Sequence, residues 1–158
     1  MVKLEGGAWL AESIRALVER GIPVCAHMGL TPQSINRLGG FRVQGRDPVQ
    51  AQTMIDEAKI LLDSGASVIL VECIPTELAQ RISAELVVPV IGIGAGPNVD
   101  GQILVMHDML GITPPGIKVP KFFKNFMLES KDGIAGAFKA YADAVKTGAF
   151  PDAKHSYR

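Results

Sequence analysis

The sequence has few of the features that mark nucleic-acid-binding, membrane or secreted proteins. Its 16 basic and 16 acidic residues balance to a formal net charge of zero, and no block of like charge creates the field that a nucleic-acid partner needs. The longest apolar runs have the length of strands, too short to cross a bilayer. The first residues lack the charged-then-apolar order of a secretory signal. These absences predict a soluble protein with neither a nucleic-acid nor a membrane partner.

Cysteine is also scarce. The two cysteines, Cys25 and Cys73, are too few for a disulfide scaffold, and their apolar flanks suit a reducing compartment. The sequence therefore predicts a cytoplasmic protein. Its 158 residues, 47 % of them hydrophobic, fit a single domain with a buried core.

Short β-rich runs alternate with longer helical stretches, which is the pattern of parallel βα units. Their apolar character suits strands covered on both faces by helices. The predicted strands are Val2–Glu5, Pro23–His27, Val68–Cys73, Val90–Ile93 and Gln102–Met106. The predicted helices are Ala8–Arg20, with Trp9 on its inner face, Pro48–Ser64, Thr76–Leu86 with Thr76 as N-cap, and about Gly133–Thr147.

About five strands are present, whereas a closed parallel barrel needs eight. Periodicity alone leaves open whether the strands form part of such a barrel or an open doubly wound sheet. The first strand begins at the first residues of the chain. A barrel whose first part is absent accounts for that start, and we favour it over an intact sheet with a terminal strand.

Two polar residues interrupt the first strand. Lys3 and Glu5 alternate with Val2 and Leu4 and therefore point to the same side. A lysine and a carboxylate within an apolar strand are costly unless they are paired or bound to a ligand. A structural ion pair is the plainer interpretation. The Gly6-Gly7 turn that follows favours a site, because glycines allow close approach of a ligand to the backbone.

Two further strands end in residues that can move protons. His27 ends the second strand, although a lone histidine is more often a hydrogen-bonded core residue than a catalyst. Glu72 follows four apolar residues and precedes another apolar stretch, which is a poor environment for an unused carboxylate. Since active sites of parallel α/β folds form at the carboxyl ends of strands, Glu72 is a candidate general base.

Two other segments resemble binding motifs only weakly. The glycines of Gly92–Gly96 lack the third glycine of the dinucleotide fingerprint and the Lys-Ser/Thr of a P-loop. Close approach of the backbone to a substrate, or crowding between strands, explains them better than a phosphate. The segment 118–126, KVPKFFKNF, could bind an anion, but a solvated helix face over a hydrophobic seam is the favoured interpretation.

Read together, the strand-end strings are more specific. MVKLEGG, VCAHMGLTPQS, FRVQGR, VILVECIP, VPVIGIGAG and DGQILVMHD occur in this order, and with PKFFKNF and HSYR they extend over the whole chain. In this combination the chain resembles the ketopantoate hydroxymethyltransferase family. The resemblance implies an α/β fold of the (β/α)₈ TIM-barrel, phosphoenolpyruvate mutase-like type. Residues 1–158 would then form a single domain that holds about the last five βα units, fourth to eighth, with a C-terminal helix and tail.

The resemblance also implies an activity. The family transfers a hydroxymethyl group from 5,10-methylenetetrahydrofolate to 3-methyl-2-oxobutanoate, forming 2-dehydropantoate for pantothenate biosynthesis. A Mg²⁺ ion holds the substrate's carboxylate and keto oxygens and stabilises the enolate. Matching motif to motif, Glu5 belongs to the metal site, Lys3 binds the substrate carboxylate, and Glu72 removes the C3 proton. His27 would line the substrate pocket.

The chain departs from the family's pattern in one large respect. Two metal-ligating aspartates and a neighbouring serine lie on strands that precede MVKLEGG in the family, and those strands are absent here. The chain is thus expected to be the enzyme or a piece of it. The alternatives are a non-catalytic fragment or subunit that needs the missing strands, and, less favoured, a related carboxylate-processing lyase. By the same resemblance the partners would be the small-molecule substrates and further copies of the chain, as a decamer.

Overall fold

The protein is described here from a computed structural model that covers residues 1–158. Five strands form one parallel sheet. They are β1 (Val2–Glu5), β2 (Val24–Gly29), β3 (Val68–Glu72), β4 (Val90–Ile93) and β5 (Gly101–Gln102). The four strands predicted before β5 are confirmed, with ends that differ by at most two residues.

The order of the strands decides between the two architectures that the sequence left open. The strands lie side by side in the order β1-β2-β3-β4-β5, the same as their order in the chain. A doubly wound sheet reverses its order at a switch point, so that helices cover both faces. Right-handed crossovers between strands that follow one another without reversal place every helix on the same face. The sheet is therefore a run of consecutive βα units of the barrel type.

The helices are α1 (Ala11–Val18), α2 (Ile35–Leu38), α3 (Pro48–Asp63), α4 (Thr76–Glu85), α5 (Met106–Leu110) and α6 (Gly133–Lys146). Short 3₁₀ turns span Ala8–Leu10, Pro32–Ser34 and Phe126–Glu129. The main core lies between the sheet and the helices α1, α3 and α4, where apolar residues meet at strand and helix periodicity. Its largest fully buried members are Ile14, Val24, Met28, Ile55, Leu61, Ile69, Val71, Ile74, Ile82 and Val90.

Helix α3 begins at a side-chain cap. An oxygen of Asp47 accepts hydrogen bonds from the backbone N–H groups of Val49 and Gln50, both at 3.0 Å, and Pro48 follows at the first helical position. The cap satisfies two backbone donors that have no partner within the helix. It thereby fixes the start of the helix that packs against β2.

Removal of this cap should destabilise the fold. We expect Asp47→Ala to lower the free energy of unfolding by about 1 kcal/mol, measured by urea denaturation at neutral pH. Asp56→Ala, an exposed substitution in the middle of the same helix, is the control and should cost clearly less. Equal losses in the two variants would show that the cap contributes nothing specific.

The prediction that helices cover both faces of the strands is wrong. The helices α1, α3 and α4 pack on one face. The other face is partly covered by Phe122, Tyr157 and the short helix α2, which belong to one apolar cluster with Leu70 and Ile93. The reason is the unreversed strand order, which leaves no crossover on that side. On that face Ile103 is exposed, and Cys25, Val68 and Ile91 are only partly buried.

Three local predictions also fail. The fifth strand ends at Gln102, because β5 has only β4 as a partner and the chain enters α5 at Met106. Trp9 is 64 % exposed, since it lies on a 3₁₀ turn before α1 begins. Thr76 is the first residue of α4 rather than its cap, and its hydroxyl donates to the carbonyl of Tyr157 at 3.1 Å.

The segment 118–126 is not the predicted helix. It is irregular and becomes a 3₁₀ turn only at Phe126. Phe122 and Phe126 are buried in two different apolar clusters, and Lys121 donates to the carbonyl of Ser156. The two phenylalanines therefore anchor the C-terminal part of the chain.

None of the helices is both long enough and apolar enough to cross a membrane.

Candidate acid–base site

The four residues selected from the sequence lie together at the carboxyl ends of neighbouring strands. Glu5 of β1 is paired in register with His27 of β2, and Glu72 of β3 lies opposite Gly29, two residues beyond His27. Alternation along the strands places Lys3, Glu5, His27 and Glu72 on the face opposite the helices α1, α3 and α4. The predicted convergence of these residues is confirmed.

Two groups donate hydrogen bonds to the Glu5 carboxylate, one to each oxygen. The Lys3 ammonium donates to Glu5 Oε1 at 3.0 Å, and the backbone N–H of Gln33 donates to Oε2 at 3.0 Å. Burial opposes the charge of this carboxylate. The Gln33 and Lys3 hydrogen bonds, together with the positive charge of Lys3, outweigh it and hold the pKa of Glu5 below its ordinary value. Glu5 is thus set up to remain an anion.

His27 lies between two carboxylates. Its Nε2 is 3.0 Å from Glu72 Oε2, and its Nδ1 is 3.6 Å from Glu5 Oε1. The side chain is only 3 % exposed. Neither contact has the alignment of a hydrogen bond, so both ring nitrogens are buried without a hydrogen-bond partner in the chain. The row Glu5–His27–Glu72 nevertheless connects the two carboxylates through one imidazole.

The turn after β3 fixes the backbone that follows Glu72. Cys73 adopts a positive φ of 49°, a conformation that is costly for any residue except glycine and recurs at functional sites. The turn is held by hydrogen bonds from Cys73 N–H to the Ile93 carbonyl and from Gln44 N–H to the Cys73 carbonyl, both 2.9 Å. The Glu72 side chain keeps 13 % exposure, enough to meet a ligand from the open face.

The thiol that adjoins Glu72 should be inert. Burial first, and then the charge of Glu72, raise the pKa of Cys73 to about 12. At pH 8 the reactive thiolate would then be roughly one part in ten thousand. We expect the thiol reagent DTNB to label Cys73 in a Cys25→Ser background only after denaturation in urea. Rapid stoichiometric labelling of that variant in native buffer would contradict the buried position of Cys73.

The residues present supply only part of a magnesium site. No group of three or more metal-binding side chains occurs in the chain, whereas Mg²⁺ requires an octahedron of oxygens from carboxylates, waters and substrate. Glu5 offers one carboxylate, and both of its oxygens already accept hydrogen bonds. Glu5 fits a role as a single ligand, or as a partner of a metal-bound water, but the donor set is incomplete.

The glycine-rich turn after β4 serves packing. A Cβ on Gly94 would lie 2.5 Å from the Phe122 ring, and one on Gly96 would lie 2.3 Å from Thr76 Oγ1. Both glycines have positive φ. These contacts favour crowding, and not a phosphate, as the reason for the two glycines.

Sequence reasoning missed Gln33 and Cys25 as neighbours of the site. Gln33 contributes a backbone N–H, which any residue except proline could supply, so its side chain gave no signal. Cys25 is paired with Lys3 and shares its face. The two-residue period of β2 placed Cys25 on the same side as His27 and could have identified it.

Taken together, the barrel-type sheet and the carboxylate–imidazole row place charged and titratable side chains at the carboxyl edge of the strands, where active sites of parallel α/β folds form. A model of the ketopantoate hydroxymethyltransferase family matches residues 1–153, and the chain belongs to this family.

Similar proteins from several bacteria carry the name of the same enzyme family. The 3-methyl-2-oxobutanoate hydroxymethyltransferase 2 of Hahella chejuensis is 56 % identical over 157 residues, 99 % of this chain and 58 % of the relative. The enzyme of Stutzerimonas stutzeri is 59 % identical with the same coverage, and that of Yersinia enterocolitica is 52 % identical over the whole chain and 59 % of the relative. The chain thus spans somewhat more than half the length of these relatives.

A solved structure described as "Native KDPGal structure" is 18 % identical, with a TM-score of 0.47 over 91 % of this chain and 60 % of that chain. A likeness of that size adds nothing to the fold derived from the strand order.

Proposed function

We propose that this chain provides the proton-transfer half of an active site that transfers a hydroxymethyl group from 5,10-methylenetetrahydrofolate to 3-methyl-2-oxobutanoate, forming 2-dehydropantoate. The observation that carries the proposal is the row Glu5–His27–Glu72 at the carboxyl edge of the sheet, in a chain of this family. The reaction requires removal of a proton from C3 of the oxo acid, and Glu72 would be the carboxylate that accepts it.

His27 acts through Glu72. With a side chain that is 97 % buried and an Nε2 at 3.0 Å from Glu72 Oε2, the imidazole has little surface to offer a substrate. Its contact restricts the orientation of the Glu72 carboxylate, which must point at the carbon that loses its proton. The resemblance implied that His27 lines the substrate pocket. We propose instead that His27 positions the base, Glu72.

The chain's other two site residues act on the anionic end of the substrate. Lys3 is half exposed on the open face and would bind the substrate carboxylate through a charge-assisted hydrogen bond. Glu5 would contribute to a Mg²⁺ site, directly or through a water. When bound, the ion supplies positive charge beside the keto oxygen, which makes the C3–H more acidic. The remaining ligands of the ion would be substrate oxygens, waters and any further carboxylates of the complete site.

Mass-spectrometric detection of the product tests the proposal. A protein that joins this chain to the preceding region of a family member, given 3-methyl-2-oxobutanoate, 5,10-methylenetetrahydrofolate and Mg²⁺, is expected to form 2-dehydropantoate. The same protein with chelator in place of Mg²⁺ is the control. Absence of product from a folded, Mg²⁺-loaded protein would reject the proposed activity.

The proposed role of Lys3 predicts a change in affinity more than in rate. We expect Lys3→Met to raise the dissociation constant of 3-methyl-2-oxobutanoate roughly tenfold to a hundredfold, since a hydrogen bond to a charged group contributes about 1.5–3 kcal/mol. Titration calorimetry on the joined protein measures this. Lys59→Met, which removes a surface ion pair with Glu85 on the helical layer, is the control and should leave the constant unchanged.

A further inference from the structure

Residues 155–158 return from the end of α6 to the turn that follows Glu72. The backbone carbonyl of Tyr157 accepts hydrogen bonds from the N–H and from the hydroxyl of Thr76, both at 3.1 Å. Pro75 and Tyr157 also form an isolated parallel bridge. This segment, which we call the strap, is therefore joined to the turn between β3 and α4 within four residues of Glu72.

The strap is fixed to other parts of the chain as well. The carbonyl of Ser156 accepts a hydrogen bond from the ammonium group of Lys121, and the Ser156 hydroxyl donates to the carbonyl of Asp152 at 2.7 Å. Arg46 Nε donates to the carbonyl of Arg158 at 3.3 Å. Because the strap is bound on both sides of Tyr157, it can hold the turn in one position.

The ring of Tyr157 lies on the open face of the sheet, beside the neighbours of Glu72. It packs against the apolar cluster that includes Cys73, Ile93 and Phe122. Cys73 follows Glu72 in the chain, and Ile93 is paired with Glu72 across β3 and β4. The ring therefore borders the β4 side of Glu72.

The Glu72 carboxylate depends on this packing for its direction. Its polar contact within the chain is His27 Nε2 at 3.0 Å, and that contact lacks the alignment of a hydrogen bond. Glu5, in contrast, accepts a hydrogen bond at each oxygen. Since no hydrogen bond of this kind orients Glu72, its orientation follows from the backbone of the turn and from the side chains that enclose it.

We propose that Tyr157 is a positioning residue for Glu72, acting through the turn after β3. Its carbonyl fixes the turn at Thr76, and its ring fills the space beside Cys73 and Ile93. A base must point at the carbon that loses its proton, and small displacements of a reacting group are costly in rate. The inference rests on the proposed function, in which Glu72 removes the C3 proton.

The reactivity of Cys73 tests the contact on residues 1–158 without any assay of activity. In the Cys25→Ser background, Tyr157→Ala should raise the rate of native DTNB labelling roughly tenfold or more, because loss of the ring permits local opening of the turn. Tyr157→Phe keeps the ring and should label as slowly as the Cys25→Ser parent. Phe138→Ala removes an exposed ring of α6 and is the control. Labelling of Tyr157→Ala no faster than that of Tyr157→Phe or Phe138→Ala overturns the proposal.

Hydrogen exchange at C3 of 3-methyl-2-oxobutanoate tests the positioning itself. In the joined protein, Tyr157→Ala should lower the exchange rate about tenfold to a hundredfold, with the dissociation constant of the oxo acid within threefold of the unaltered protein. Tyr157→Phe should recover most of the lost rate. Circular dichroism confirms that both variants fold. Exchange in Tyr157→Ala within threefold of the unaltered protein, or a loss matched by equally weakened binding, overturns the proposal.

Failure of this inference and failure of the proposed function give different results. Exchange by the unaltered joined protein that survives Tyr157→Ala rejects the positioning role alone. Fast labelling of Cys73 in Tyr157→Ala, with no exchange by the unaltered joined protein, supports the hold of the strap on the turn and rejects the proposed proton transfer.

Discussion

Glu72→Gln is expected to lower the rate of hydroxymethyl transfer by about 10²–10⁴, the range that loss of a general base typically costs. The substitution keeps the size of the side chain and removes its ability to accept a proton. Steady-state kinetics on the joined protein, with both substrates saturating, measures the change. Substrate binding should survive, since Glu72 is not proposed to hold the oxo acid.

Two comparisons sharpen this prediction. Glu77→Gln, at an exposed site in the first turn of α4, makes the same chemical change away from the site and should retain the full rate. His27→Asn should cause a smaller loss than Glu72→Gln, because it disturbs the orientation of the base without removing it. A His27→Asn variant slower than Glu72→Gln would assign the proton to the imidazole.

Residues 1–158 alone are expected to show no hydroxymethyl transfer. The chain holds no group of three metal-binding side chains and spans 58 % of the length of its Hahella chejuensis relative. Supplying the region of that relative that precedes the match, in cis or as a second chain, should raise the rate from background to a measurable value.

The control for this experiment is the same region added to Glu72→Gln, which should remain close to background. Restoration that depends on Glu72 would show that the two parts form one active site. Mg²⁺-dependent turnover by residues 1–158 without any addition would show that the metal ligands have been misplaced.

Much of the fold follows from local signals in the sequence. The strands β3 and β4 were predictable because each is a short run of mainly branched apolar residues, such as Val90–Ile93 between Pro89 and Gly94. The helix Pro48–Asp63 was predictable from its cap, its proline and its apolar period. These strands and this helix depend on interactions between residues close together in the chain, and such interactions can be inferred from a single sequence.

The failures depend on contacts between distant residues. Trp9 has the period of a buried helical residue, but the helix begins after it and the ring packs against Gly6. The lysine-rich segment 118–126 was predicted to be helical, but Phe122 and Phe126 are buried in two separate apolar clusters. Strand order, which decided the architecture, is likewise a matter of long-range pairing that periodicity does not encode.

The same distinction applies to the site. Alternation in β1 predicted that Lys3 and Glu5 share a face, and the 3.0 Å contact between them bears this out. That His27 lies between Glu5 and Glu72 could not be predicted, because it requires the register of three strands. The hydrogen bond from Gln33 N–H to Glu5 could not be predicted for a different reason. The donor is a backbone group, so the type of residue at position 33 does not indicate it.

Glu72 is proposed to remove the C3 proton, and one measurement isolates that step. Proton NMR in D₂O follows loss of the C3–H signal of 3-methyl-2-oxobutanoate in the presence of Mg²⁺ and the joined protein, without folate. The predicted result is exchange by the unaltered protein and a fall of about 10²–10⁴ in Glu72→Gln, with the substrate still bound. Exchange in Glu72→Gln within a few-fold of the unaltered protein would contradict the assignment and make His27 the next candidate.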